Sequence, residues 1–178
     1  KIVEGGVLVA DGGSPAIKPD GVDDYMVIPD ELNLQRDFSI FSVNGDPTSN
    51  VGTIFRKGSS TPSIRFAALA SQYNAIMAND GQGNSASIIA SSDAGMYSVL
   101  ANRASTLELF ASGVSQGSSD LSSVAGSTLP VGQQFLFASN TAGANASDAN
   151  TQEIIIYDSD QSLVRKNIEF NINNAYSI

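Results

Sequence analysis

Apolar residues recur along this chain in short runs of four to seven, broken every 8–12 residues by Gly, Ser, Asn, Asp and Pro. That rhythm predicts many short β-strands joined by tight loops, the pattern of a sandwich or jelly roll. The opening segment, 1–10, reads as extended, with Ile2, Val3, Val7, Leu8 and Val9 apolar, and Asp11–Pro15 turns the chain. Strands are then expected at Tyr25–Ile28 and Phe38–Val43. Thr53–Arg56 and Ser63–Ala67 form a hairpin around the Gly/Ser/Pro-rich Lys57–Pro62 loop. Further strands are expected at Tyr73–Ala78, Ser87–Ala90, Gly95–Leu100, Thr106–Ala111 and Gln134–Ala138, with a reversal at Asn79–Asn84. Leu121–Ala149 is the most loop-like stretch.

Glu153–Tyr157 is the strongest strand signal, because its β-branched residues point to both faces and imply burial on both. A central place in a sheet is expected for it. After it the period changes. Val164, Ile168, Ile172 and Ala175/Tyr176 recur at helical spacing, which predicts one amphipathic helix over about 161–174. Asp158, Ser159, Asp160 and Ser162 are N-cap candidates, Asp160 favours the helix N-terminus electrostatically, and Arg165 and Lys166 are expected to face solvent. With no repeat and no long linker, residues 1–178 read as a single all-β sandwich domain with one short C-terminal helix.

Composition narrows the chemistry. The 178 residues contain no Cys and no His, which removes disulfides, thiolate sites, the Ser-His-Asp triad and almost every zinc site. A net charge of −9 repels phosphate backbones and anionic membranes, so nucleic acid is excluded as a partner. No apolar run approaches the ~20 residues of a membrane span. Charged residues are only 15% of the chain, so Ser, Asn, Gln, Thr and Gly must cover the surface, as suits a secreted, periplasmic or virion protein. The start at Lys1 suggests a processed chain or a fragment.

Three stretches carry a family resemblance. Asp20-Gly21-Val22-Asp23-Asp24-Tyr25 with the following Asp37-Phe38-Ser39-Ile40, Leu107-Glu108-Leu109-Phe110-Ala111-Ser112-Gly113-Val114, and Glu153–Asp158 with the helix behind it, resemble the ordered motifs of LamG-type domains. Ser112 stands where that family more often has Asn. The resemblance implies a concanavalin A-like jelly roll, often with calcium at a loop rim. The Ile-Ile-Ile-Tyr-Asp-Ser-Asp-Gln-Ser form is similar to bacteriophage and marine bacterial surface proteins and implies a virion or cell-surface setting.

Some members of that fold cleave polysaccharides with two glutamates on one strand, since retaining chemistry needs carboxyls ~5 Å apart. Glu4, Glu31, Glu108, Glu153 and Glu169 do not form that spacing, so no catalysis is expected. Glu153 is either an acid of raised pKa or a strand-end structural residue. Asp20, Asp23 and Asp24 are either calcium ligands or an Asx-type turn, and the Asn79–Asn84 loop has a calcium-like composition without the closing acid. Tyr73, Tyr97, Asn79 and Asp80 are the ligand-binding candidates, because sugars stack on aromatic rings and hydrogen-bond to amides and carboxylates. Tyr25 and Tyr157 read as structural, and Asn145-Ala146-Ser147 as a chance glycosylation tripeptide.

The function expected first is a non-catalytic structural or interaction module of a phage virion (a decoration, fibre or capsid-associated protein) or of a cell surface, packing against its own copies or other surface proteins. The alternative is a calcium-assisted, lectin-like carbohydrate-binding module.

Overall fold

A computed structural model describes residues 3–4, 7–8, 10–11, 13–28, 32–46, 52–58, 63–69, 72–78, 85–91, 94–122, 124, 128–129, 134–138 and 144–178. Two short hairpins open the chain: β1 (Val3–Glu4) with β2 (Val7–Leu8), and β3 (Ala10–Asp11) with β4 (Ser14–Pro15). Two antiparallel sheets follow. One has six strands in the order β10 (Ser85–Ser91), β9 (Gln72–Ala78), β8 (Ser63–Leu69), β7 (Gly52–Lys57), β14 (Gln134–Leu136), β5 (Met26–Ile28). The other has five, in the order β13 (Val114–Asp120), β12 (Thr106–Ala111), β11 (Gly95–Asn102), β6 (Phe38–Asn44), β15 (Thr151–Tyr157). The helix α1 spans Arg165–Tyr176.

The expected β-sandwich with one C-terminal helix is therefore present. Alternation builds its core: Phe38, Ile40, Val99 and Leu109 of the five-stranded sheet meet Ile54, Ile64, Phe66 and Ile88 of the six-stranded one in a single buried cluster.

The five-stranded sheet is buried on its outer face as well. There Phe41, Val43, Met96, Leu100 and Phe110 pack with Ile172, and Ile155, Tyr157, Ile168 and Tyr176 close the edges of that second cluster. Here the expectation for Glu153–Tyr157 is corrected. The strand is partly buried from both sides, but it is the edge strand of its sheet, paired along its length with β6 and bridged at Thr151 to Ile17. Ile154 and Ile156 face the main core, while Ile155 and Tyr157 lie under the helix. A covering helix creates the same two-sided apolar demand as a central position in a stack of layers.

The helix also begins later than its spacing suggests. Asp160 accepts hydrogen bonds from the backbone N–H and the hydroxyl of Ser162, so its carboxylate closes a turn and caps nothing. Val164 occupies the N-cap without a side-chain bond, and no acid lies in the first turn. Arg165 does not face solvent. It is 8% exposed, ion-paired with Glu169, and its guanidinium carbon lies 3.8 Å from the centroid of the Phe110 ring. Ser98 on β11 completes the arrangement by donating to Glu169 at 2.7 Å. Charge is buried here because the helix is laid on an apolar sheet face, and each ion has its partner. Lys166 is exposed as expected.

Candidate functional site

The aromatic candidates turn inward. Tyr73 is 0% and Tyr97 2% exposed, and their ring centroids lie 3.9 Å apart with Phe66 beside both. The Tyr73 hydroxyl donates to the Gly45 carbonyl at 2.7 Å, which satisfies its polar end in the core. Strand alternation puts both on the inner faces of the two sheets, so neither presents a ring to a ligand. Asn79 and Asp80 lie outside the described residues.

Asp20, Asp23 and Asp24 do converge. Their carboxylates offer oxygens within 4.8 Å of one another on the loop before β5. The same residues build an Asx-type turn: Asp20 Oδ1 accepts from the Val22 N–H at 2.8 Å, and Asp24 Oδ2 accepts from the Asp20 N–H at 2.9 Å. Asp148 packs against this loop, since a Cβ on Gly21, at φ +76°, would stand 3.1 Å from the Asp148 Cβ. Hard oxygen donors on an exposed rim are the donor set that calcium takes, and the Asx turn uses only some of their lone pairs.

Glu153 pairs with Val43 on the helix-covered face. Burial pushes its carboxyl above the usual range, and its charge, second to burial, raises the Tyr176 phenol. No second carboxylate pairs with it among the described residues.

A different constellation stands on the six-stranded sheet, on the face turned away from the core. Hairpin register sets Arg56 of β7 directly opposite Arg65 of β8. Cross-strand partners share a face, so one row runs Val27, Phe135, Arg56, Arg65 across β5, β14, β7 and β8. Solvent reaches this face at Val27, 40% exposed, and at Ile89 on β10, 51% exposed, while both arginines are half-buried and Phe135, between Arg56 and Val27, is buried. Next along β7 the 145–147 segment closes in. The Asn145 carbonyl accepts from the Thr53 N–H at 2.9 Å, and a Cβ on Gly52 would lie 2.8 Å from the Ser147 Cα, so only glycine allows the approach.

Neither guanidinium meets an acid among the described residues. Arg56 Nε donates to the Gly58 carbonyl at 2.6 Å, and Arg65 Nε is buried with no hydrogen-bond partner. Burial holds both below the usual arginine value, and the Arg65 charge lowers Arg56 further. Both nevertheless stay cationic at any physiological pH. Like charges directly opposite one another destabilise a strand pair. The chain has 18 acidic residues against nine basic ones, yet none of those described stands here. Sequence reading found the hairpin but not this pair. The signal was available, since two of nine basic residues flank one hairpin loop and closing it with Lys57 opposite Ile64 brings them face to face.

This is an antiparallel β-sandwich of the architecture seen in carbohydrate-binding domains. No family model matches the sequence, and no curated protein matches it. Solved structures do match in fold. The Ruminococcus gnavus IT-sialidase CBM40 bound to alpha2,3 sialyllactose superposes with a TM-score of 0.60 at 8% identity, over 84% of this chain and 95% of that one. The NanB sialidase from Streptococcus pneumoniae, as its K499G mutant, gives 0.63 at 10% identity over 85% of this chain but only 27% of its own. The botulinum neurotoxin serotype D ligand binding domain in complex with N-acetylneuraminic acid gives 0.62 at 12% identity, over 98% of this chain and 48% of that one. This chain thus spans about a quarter of the sialidase and about half of the toxin domain.

Proposed function

We propose that this protein is a non-catalytic carbohydrate-binding module, and that it binds its glycan on the outer face of the six-stranded sheet. One observation carries the reading: α1 seals the outer face of the other sheet, whereas this face sets two half-buried arginines side by side with no acid against them among the described residues, and an exposed Val27 at the end of their row. Sites of this kind pair apolar surface with a few placed polar groups. The match runs over 95% of the CBM40 domain, which supports reading this chain as a binding module. The glycan reading therefore has more behind it than the virion structural module expected first. A surface setting, on a virion or a cell, goes with it.

The Asp20, Asp23 and Asp24 rim is proposed to hold calcium, supporting the loop that leads into β5. A glycan array run with the folded protein, with and without chelator, tests both statements. Saturable binding to a subset of glycans is expected, and a chelator-induced fall in melting temperature marks the ion. A folded protein that binds nothing on the array sinks the glycan reading.

A further inference from the structure

We infer that Arg56 and Arg65 together clamp a carboxylate, so that the glycan recognised is one bearing an acidic sugar. The inference rests on the sugar-binding reading and names its ligand class.

The register leaves little freedom. Arg56 and Arg65 are direct cross-strand partners on adjacent interior strands of the sheet, so their side chains leave the backbone side by side on one face. Two cations so placed repel, and a purely structural surface would relieve the repulsion with an acid. This chain is rich in acids and supplies none among the described residues. Arg65 Nε is moreover a buried donor with no acceptor. A buried donor left unfilled is costly, and a ligand oxygen bonded to the terminal nitrogens of the same guanidinium would offset that cost. Arg56 is already oriented by its bond to the Gly58 carbonyl, which leaves its terminal nitrogens to bond elsewhere.

The chemistry that suits this arrangement is a planar anion. A guanidinium presents its N–H donors in a fixed fork that matches the two oxygens of a carboxylate, and the paired charges stabilise one anion between them. A neutral sugar would leave both cations uncompensated and would add desolvation cost. Val27 and the buried Phe135 continue the row on one side, and of the two Val27 is exposed enough to meet an uncharged part of the ring or an acyl substituent. The same carboxylate chemistry occurs in sialic acids and in uronic acids, and the test separates them.

Isothermal titration of the full chain with 3′-sialyllactose, lactose, 3′-sulfated lactose and a uronate oligosaccharide reads the ligand class directly. Arg56→Gln, Arg65→Gln and Arg65→Lys are titrated beside it. The expected result is binding of a carboxylated sugar at least tenfold tighter than lactose, with affinity flat from pH 5 to 9 and falling as salt rises. Each Arg→Gln change is expected to lose at least 30-fold, and Arg65→Lys, which keeps the charge but not the fork, to lose an intermediate factor. The ligand-free melting temperature of the Gln variants should hold or rise, because repulsion is relieved, and that separates a ligand role from a folding role. Preference for the sialoside or for the uronate identifies the source, and either supports the clamp. Equal affinity for lactose and its carboxylated forms, a preference for the sulfate ester, or Gln variants that bind like the parent would each overturn it. Should a Gln variant fail to fold, Arg65→Lys and the lactose comparison still decide. Neutral-glycan binding unaffected by the arginines would refute the clamp and leave the sugar-binding reading standing, whereas no glycan binding at all would remove both.

Discussion

Replacing Arg165 by Leu should destabilise this protein more than a change to any solvent-facing residue of α1. Glu169 is 5% exposed and holds two partners, the Arg165 guanidinium and the Ser98 hydroxyl. Removing the cation strands a carboxylate between the helix and an apolar sheet face with one neutral hydrogen bond left. Breaking a buried pair from one side typically costs about 3–5 kcal/mol. The lost contact of the cation with the Phe110 ring adds roughly 1 kcal/mol, partly offset by the leucine's apolar surface. In a chain of this size 1 kcal/mol moves the melting temperature by about 2–4 °C, so a fall of order 10 °C is expected. The double change Arg165→Leu/Glu169→Leu removes both ions together and leaves aliphatic surface against Phe110 and Ile172. It should return to within about 2 kcal/mol of the parent, because an intact buried pair contributes little over apolar packing. Urea unfolding at pH 7 followed by circular dichroism, with a calorimetric scan, measures both. The penalty of the single change should persist in 1 M salt, since a buried pair is weakly screened. A single-variant loss under about 1 kcal/mol, or a double variant as damaged as the sum of the two singles, would refute the reasoning that this pair is buried and mutually dependent.

Three further outcomes follow from the same coordinates. Glu153 has its folded carboxyl raised by burial, so the native state holds more protons than the unfolded chain between about pH 4.3 and that raised value. Stability should fall as pH rises through that window, and Glu153→Gln should remove this part of the slope in melting temperature against pH; an unchanged slope counts against it. Tyr73→Phe deletes the donor to the Gly45 carbonyl and should cost about 1–3 kcal/mol in urea unfolding while leaving glycan affinity untouched. Loss of affinity there would reopen the inner-face tyrosines as ligand contacts. Gly52→Ala should destabilise by about 1–3 kcal/mol, since its Cβ meets the Ser147 backbone and not a flexible side-chain end; a neutral melting curve would contradict the close approach.

Local periodicity makes much of the architecture legible in the sequence. The hairpin of β7 and β8, the strands around Phe38, Met96 and Leu107, and a helix spaced on Ile168 and Ile172 all follow from which neighbouring residues can share a face. The Asp20 turn was equally readable, because its hydrogen bonds span no more than four residues. What stayed hidden depends on contacts far apart in sequence. Tyr73 and Tyr97 border polar loops in the chain, yet their places on two facing sheets stack them in the core. Ile155 needs cover on both sides, but only the docking of α1 decides that a helix supplies it and that β15 lies at an edge. Arg165 carries the local marks of a surface residue, and it is buried because Glu169, itself held by Ser98, and Phe110 converge on it from the helix and a strand. The Arg56 and Arg65 pair depends on one register, and a slip by a single residue would send one of the two charges to the opposite face. Sequence alone determined most of the strands and which chemistry is absent, because both are properties of short stretches or of counts; it missed β13, whose polar, exposed Val114–Asp120 shows no apolar alternation. Tertiary structure decided which charges are compensated, because that depends on which distant residues the sheets and the helix bring within a hydrogen bond of one another.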